Sequence, residues 1–380
     1  MKWVLVGNPG CRRVAFWQAA LRRLGLPAAT VVTYADLLTS QQTFAEALVS
    51  RVVVRFESAA EDPSTYKLLL RHGFEPAAGE GYPALALKEI ERLQPERGWI
   101  IRPRQAFLGF IRLLRELRAP LERTRAQLLN PPEDISVQFD KTACQRLLDQ
   151  AQIPVPFALG AVSGYDELRG QFRASGRAMV KLAHGSGGAG CMAIHWSHGC
   201  VRAFTTVREV DRAGDLRLYC SKRSVHLAHE NEITRLVNRL CIEKVHAEEW
   251  LPKARWLGRN FDLRVVTIAG EPRHTVVRQS SSTFTNLNLG NQRGDLPAVR
   301  ARLGSHWEEI QETAKRVARV FPRSFTVGLD VLVRSDFRRH AVLEVNAFGN
   351  LLPGLLDRDE DTYTAAVVAW QQSQNEPVLT

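Results

Sequence analysis

The chain reads as an α/β protein with an N-terminal strand–helix domain and a larger, mixed α+β module of two subdomains. Three observations carry this reading. Over residues 1–56, short apolar runs alternate with amphipathic stretches. Two apolar segments, 178–182 and 191–196, flank a glycine-rich loop. Downstream, Phe325-Thr-Val-Gly-Leu-Asp-Val-Leu-Val333 and Ala341-Val-Leu-Glu-Val-Asn-Ala-Phe348 are strongly apolar runs with acidic and amide groups set inside them.

Val4–Val6 predicts a buried strand ending in the turn Gly7-Asn-Pro-Gly10. Arg12–Leu24 predicts a helix, and Ala29–Thr33 and Arg51–Arg55 two further strands. Helical patterns follow at Ser64–His72, Pro83–Leu93 and Arg104–Arg118. Asn130-Pro-Pro-Glu133 is a break, so a boundary falls within 119–138 and the first domain covers 1–135.

A new module opens at Phe139-Asp-Lys-Thr142, with Asp140 as helix N-cap and Leu147 and Leu148 on the buried side. That helix must stop before Ile153-Pro-Val-Pro156, because proline biases the residue before it toward extended backbone. A helix over Tyr165–Ala174, the strand Ala178–Leu182, the glycine loop and the strand Cys191–Trp196 come next. Ile233, Leu236, Val237 and Leu240 recur at helical spacing and predict a helix over Glu230–Leu240. Strands are expected at Cys241–Val245, Asp262–Ala269 and His274–Gln279, then a polar loop at 280–297 and a helix over Ser305–Val320. The strand pair precedes a helix near Asp361–Gln371. The second module spans 139–372, divided into 139–245 and 246–372, with a polar tail at 373–380.

Composition narrows the function classes. Hydrophobic content of 45% with 24% charged residues is ordinary for a globular enzyme. No apolar run is long enough to span a membrane, and Met1-Lys-Trp-Val-Leu-Val-Gly-Asn8 is too short an apolar stretch for a signal peptide. Cytoplasmic residence is the default expectation. The net charge of +11 suits nucleic acid, membrane surfaces or anionic small molecules. Eight arginines fall between Arg97 and Arg125, opposed only by Glu116 and Glu122, but no DNA- or RNA-binding module is legible. The six cysteines form no C-x-x-C pair and read as reduced thiols. Cys191, His195, His198 and Cys200 are residue types that bind zinc, yet they straddle a strand and a turn, where a hairpin with incidental thiols is the simpler account.

Side chains two apart on a strand share a face, so Glu344 and Asn346 point one way while Leu343 and Val345 face a core. With Asp330 on the preceding strand they make three convergent oxygen ligands, a Mg²⁺-type set completed by phosphates or water. The loop His184-Gly-Ser-Gly-Gly-Ala-Gly190 contains G-x-G-x-x-G. A dinucleotide site needs a helix directly after such a loop, and here a strand follows. No Gly-Lys-Ser/Thr makes it a Walker loop, and neither H-R-D nor D-F-G marks a protein kinase. What remains is a strand–glycine flap–strand whose amides can fold over phosphates. Lys181, entering the flap, supplies a point charge, and Lys141 is a second candidate. The segment Cys241-Ile-Glu-Lys-Val245 could offer backbone groups to an adenine edge, with Glu248 or Glu249 for a ribose hydroxyl. Arg264 and Arg278, on strands joined by the turn at Gly270-Glu-Pro272, suit a transferring phosphoryl group.

In this order the pieces resemble the ATP-grasp superfamily over about 139–372, and in particular its glutathione-synthetase-like branch, which includes the ribosomal-protein glutamate ligases. The resemblance implies that Lys141 and Lys181 contact ATP phosphates beneath a flap of Ser186, Gly187 and Gly188. It implies that Glu243 and Val245 hold adenine through backbone atoms, and that Asp330, Glu344 and Asn346 hold one or two Mg²⁺. Arg264 and Arg278 would steady the γ-phosphate and an acyl phosphate, and Asn286 matches the polar loop beside the second metal. The glutamate ligases carry Arg where this chain has Thr285, so the substrate is left open. The N-terminal region looks only generally like the α/β domain preceding ATP-grasp folds, and Arg55–Asp62 could form part of a substrate wall.

The expected activity is therefore an ATP-dependent ligase joining a small-molecule or peptide carboxylate to an amine through an acyl phosphate, with no membrane partner and a homodimer left open. Its rivals are an ATP-grasp kinase and a nucleotide-binding protein associated with nucleic acid through the basic N-terminal segment.

Overall fold

The computed structural model describes residues 2–40, 42–48, 52–172, 175–348 and 352–375. Three sheets are each drawn from one contiguous stretch of chain. The first contains β1 (Lys2–Val6), β2 (Thr30–Val32), β3 (Val52–Phe56) and β4 (Gln127–Leu128), all parallel, in the order β2-β1-β3-β4. Parallel strands are covered on both faces, which is why β3 is buried at every residue and shows no alternation.

The second sheet is antiparallel and contains β5 (Ala158–Gly160), β6 (Gly176–Leu182), β7 (Met192–Ser197), β8 (Cys200–Arg212), β9 (Asp215–Leu227) and β10 (Val245–Glu249). Its order is β5-β10-β6-β7-β8-β9. Leu168, Ile233 and Val237, from helices Tyr165–Gly170 and Glu230–Ile242, close one face against Val180 and Ile194. The third sheet, also antiparallel, contains β11 (Arg255–Trp256), β12 (Arg259–Ile268), β13 (Glu271–Ser280), β14 (Gln292–Arg293), β15 (Thr326–Val333) and β16 (His340–Asn346). Its order is β14-β13-β12-β15-β16, with β11 paired to β12. Helix His306–Val320 covers it through Ile310, Ala314 and Val317, and helix Lys141–Gln150 adds Cys144 and Leu148.

The first sheet is covered by helices on one face and by downstream chain on the other. Leu69, Leu70, Phe110 and Leu113 pack on one side, from helices Pro63–His72 and Pro103–Glu116. Trp3, Leu5 and Trp17 on the other side meet Val266 and Ile268 of β12 and Tyr363 and Trp370 of helix Thr362–Asn375. The two helices of the first face cross with almost no separation. A Cβ on Gly109 would lie 2.0 Å from the Leu69 carbonyl oxygen, and one on Gly73 only 1.9 Å from that of Gln105. Interiors this dense do not absorb an added methyl. Gly109→Ala is expected to cost about 1–3 kcal/mol of stability. An unchanged urea midpoint would show that the crossing is looser than drawn.

Residues 98–100 extend the second sheet from outside. Ile100 N–H donates to Leu218 O at 2.8 Å and Cys220 N–H to Gly98 O at 2.7 Å, pairing this loop with β9. The Arg217 guanidinium stacks 4.0 Å above the Trp99 ring.

Several expectations need correction. The run Cys241–Val245 is the end of a helix that reaches Ile242, and the strand begins at Val245. Lys244, with φ +61, makes the turn between them. The 13-residue strands β8 and β9 were not anticipated. The helices expected over Pro83–Leu93 and Tyr165–Ala174 are shorter, Leu87–Arg92 and Tyr165–Gly170. Helix Pro132–Phe139 occupies part of the stretch 119–138 expected to hold a domain boundary. Residues 373–375 of the expected tail continue a helix. Arg51, Arg173, Ala174 and residues 376–380 lie outside the described residues. All six cysteines are free thiols. Among the described residues, no helix is long and apolar enough to cross a membrane.

Candidate functional site

The site is built on the third sheet. Asp330 of β15 lies opposite Glu344 of β16, and Asn346 follows two residues on. Asp330 also pairs with Arg264 of β12, and Asp262 of β12 with Arg278 of β13. The side chains close into a buried network. Arg278 spans two carboxylates, 2.7 Å from Asp262 and 2.9 Å from Asp330, and Arg264 bonds Asp330 from the other side. Lys253 reaches Asp262 at 2.8 Å and also bonds Thr285, whose hydroxyl donates to Asp262. Buried charge is tolerated only when paired and hydrogen-bonded. Burial alone would raise the Asp262 carboxyl, but Arg278 and Lys253 outweigh it and hold it well below the usual carboxylate range. Burial would likewise raise Asp330, and Arg264 and Arg278 lower it. Three cations face two carboxylates, so the patch has positive charge to offer an anion.

The opposite wall comes from the start of helix Lys141–Gln150 and from the second sheet. Asp140 caps helix Lys141–Gln150 by accepting from Thr142 and Ala143 N–H. This places Lys141 at the helix start, where its ammonium bonds Gly185 O at 2.5 Å and Glu344 at 3.0 Å. Lys181 on β6 is ion-paired with Glu248 on β10, whose other oxygen lies 3.2 Å from Gln145 Nε2 and 3.3 Å from His246. Burial depresses the Lys181 ammonium, and Glu248 more than restores it. The flap turns back through Gly187, Gly188 and Gly190, all with left-handed φ. A Cβ on Gly190 would strike Leu182 at 2.3 Å. Thr206 Oγ1 donates to Gly188 O at 2.9 Å. The flap tip reaches the loop carrying Asn286: the Cβ direction of Gly187 points at Asn288 and that of Gly188 at Leu289.

Beneath the flap lies a cavity of about 100 Å³ that touches Lys141, Lys181, Gly188, Glu249, Arg278, Asn286, Asp330 and Glu344. Its apolar walls are Met179, Trp250, Leu251, Leu332 and Leu343. On the other side of the flap a cleft of about 440 Å³ gathers Ser186, Gly187, Arg264 and Asn346, together with Arg12 and Arg13 of the first domain. Lys141, Arg278, Asn286 and Glu344 face both spaces. At this volume the smaller cavity would admit a nucleotide only if the flap lifted. Amides 185–190 are expected to exchange quickly in the free protein and slowly with Mg²⁺ and a nonhydrolysable ATP analogue. Equal exchange in both states would remove the lid role.

Twelve of the fourteen expected site residues are thus brought together, and two are not. Glu243 sits at the C-terminal end of helix Glu230–Ile242, bonded to Arg102 at 2.5 Å and to the Tyr82 hydroxyl. Val245 is packed in the second sheet's core. The strand-to-turn stretch beside the cavity is instead Glu248-Glu249-Trp250-Leu251. Lys253, Arg12 and Arg13 were missed, since two arginines opening a helix and one lysine after a proline give no periodic signal. Asn346 Nδ2, at the end of β16, is buried without a hydrogen-bond acceptor from the protein.

Of the Cys/His cluster, Cys191 lines the cavity, His195 lies opposite Arg202 in the β7–β8 pairing, and Cys200 is exposed. Among the described residues, no group of three or more His, Cys, Asp or Glu could hold a metal ion. Four of the eight arginines of the basic segment are in ion pairs: Arg102 with Glu243, Arg104 with Glu80, Arg112 with Glu75 and Glu116, and Arg118 with Glu122.

No protein-family model matches the chain, and no curated protein matches its sequence. Solved structures do. The chain is similar to the ATP-grasp ligase PsnB complexed with a phosphomimetic variant of a minimal precursor, Mg and ADP, with a TM-score of 0.53 and 15% identity over 97% of this chain and 98% of that one. It is similar to the macrocyclase MdnC bound with precursor peptide MdnA from Microcystis aeruginosa MRC, with a TM-score of 0.51 and 13% identity over 97% and 99%. It is also similar to a RiPP-associated ATP-grasp ligase of Chryseobacterium gregarium in complex with ADP and a leader and core peptide, with a TM-score of 0.50 and 11% identity over 99% and 98%. The chain has the ATP-grasp fold along nearly its whole length.

Proposed function

We propose that this protein of ATP-grasp fold is an ATP- and Mg²⁺-dependent ligase that joins a peptide carboxylate to an amine through an acyl phosphate. The observation that carries the reading is the meeting of two spaces at one flap. One has apolar walls and three lysines, and the other carries arginines from the helix Arg12–Arg23 and from the third sheet. Adenine would lie between Met179, Trp250 and Leu332, against backbone groups of Glu249–Leu251, with Glu249 toward the ribose. Lys141 and Lys181 would bind the phosphates, and the flap amides would close over them.

The donor set suits a hard divalent cation. Mg²⁺ commonly takes one or two protein carboxylates and completes its shell with phosphates and water. Asp330, Glu344 and the Asn346 side-chain oxygen would hold it, and Lys141 and Arg264 now neutralise those two acids. Bound there, the ion would neutralise charge on the nucleotide phosphates. Arg264 and Arg278 would hold the acceptor carboxylate and the γ-phosphoryl group in line, and Asn286 would face them from the opposite loop. The γ-phosphoryl group leaves ADP for a carboxylate oxygen. The amine nitrogen then attacks the acyl carbon, loses a proton and expels phosphate.

The reading is tested by an ADP-release screen of paired acidic and amine-bearing peptides with mass detection of the product. Loss of one water per bond formed supports it. A phosphorylated product stable to hydroxylamine would make the protein a kinase, and absence of ATP binding would end the reading.

A further inference from the structure

Behind the flap lies a third and larger space, a cleft of about 710 Å³ between the first domain, the flap and β9. It shares Glu61, Phe139, Gly185 and Ser186 with the arginine-bearing cleft, so the two form one trough bending around the flap. Chemistry at the phosphates does not need this space. A volume of this size matches sites that enclose a sizeable organic ligand.

The two ends of the trough differ in character. Arg12, Arg13, Arg264 and Arg278 face the near end. The far end is walled by Tyr66, Trp99, Ile100, Ile101 and Pro103, beside Arg97 and Glu96, the latter paired with Arg212 and Arg217. That wall is held in place. Residues 98–100 are hydrogen-bonded to β9, Arg217 stacks on Trp99, and the Tyr66 hydroxyl donates to Ile101 O at 2.6 Å. Rigid aromatic and aliphatic surface of this kind anchors large apolar side chains at low entropic cost. Charge and polarity complementarity therefore define one occupant, with a carboxylate at one end and a bulky apolar group at the other.

We infer that the trough binds an extended peptide segment. Its reacting Asp or Glu side chain lies at the arginine end, and a large apolar or aromatic side chain a few residues away seats against Trp99 and Ile100. This rests on the ligase reading and deepens it by defining the acceptor. Because Gly185 lines both the trough and the nucleotide side, a seated peptide would touch the flap that covers the phosphates.

The test is a random-peptide display selection on the full-length protein with Mg²⁺ and a nonhydrolysable ATP analogue. Affinities of the enriched peptides are then measured on wild type, Ala60→Trp, Ile100→Asp and Ile100→Leu. Ala60 lines the cleft and is half-buried, so tryptophan there fills the space, while aspartate at the half-buried Ile100 makes the apolar end polar. We expect enriched peptides to pair an acidic residue with a large apolar one. Ala60→Trp and Ile100→Asp should weaken them at least ten-fold, Ile100→Leu less than three-fold, and nucleotide affinity should stay within two-fold throughout. Thermal melts establish that each variant folds. Enrichment without that residue pair, equal binding to the filled and polar variants, or no enrichment on nucleotide-bound protein would overturn the inference. Failure of the analogue to bind would instead remove the nucleotide reading, and the peptide arm would still judge the trough.

Discussion

Arg278→Met is expected to destabilise the fold by about 3–5 kcal/mol, the range seen when one partner of a buried ion pair is removed. Arg278 is 4% exposed and spans Asp262 and Asp330, which are 1% and 5% exposed. Without it Asp262 keeps Lys253 and Asp330 keeps Arg264, but each loses a charge-assisted bond that water cannot replace. The pH dependence gives a second signature. In the wild type both carboxyls titrate below their unfolded values, so their stabilisation is present above the ordinary carboxylate pKa and is lost as pH falls through the folded value. Loss of Arg278 raises both folded values. The deficit should thus be greatest near neutrality and shrink as pH falls through the raised carboxyl values. Urea unfolding at several pH values measures it. A pH-independent deficit, or one under about 1 kcal/mol, would show that Arg278 does not hold the network together.

Glu344→Gln should leave the fold intact and reduce turnover by about a hundred-fold to a thousand-fold, as for loss of one preorganised electrostatic group. The side chain of Glu344 is 26% exposed, and Lys141 keeps its bond to Gly185 O when the carboxylate is gone. Glutamine preserves size and one oxygen but removes the charge that a divalent cation needs. Calorimetry should show that ADP alone binds with near wild-type affinity, whereas the gain from adding Mg²⁺ is lost. Wild-type turnover with an undiminished Mg²⁺ effect would move the cation site elsewhere.

Legibility in the sequence followed the length and regularity of each signal. Asp330, Glu344 and Asn346 were readable because they interrupt apolar strands at a period of two, so register alone brings them to one face. The flap was readable because a strand, not a helix, follows its glycines. Glu243 misled because Cys241-Ile-Glu-Lys-Val245 is apolar enough for a strand. In the fold it is a helix end that leaves Ile242 50% exposed, and the strand starts where that helix unwinds. The β8–β9 hairpin was hidden by a register shift between Thr205 and Val207, which breaks the alternation that reveals an exposed strand. Arg12 and Lys253 were out of reach because their place depends on how separate stretches of chain meet. Only contacts between the first domain and the third sheet turn a helix-opening arginine into the wall of a cleft.

The packing of the first sheet has a consequence for how the chain is made. The upstream strands and helix present Trp3, Leu5 and Trp17 on one side, and that side is covered by β12 and by Tyr363 and Trp370 of the farthest downstream helix described. During vectorial synthesis, this tryptophan-rich face is therefore made long before its cover and stays without it until β12 and the helix Thr362–Asn375 have left the ribosome. For that interval the nascent chain is a sticky intermediate, and the helix Thr362–Asn375 is the stopper that ends it.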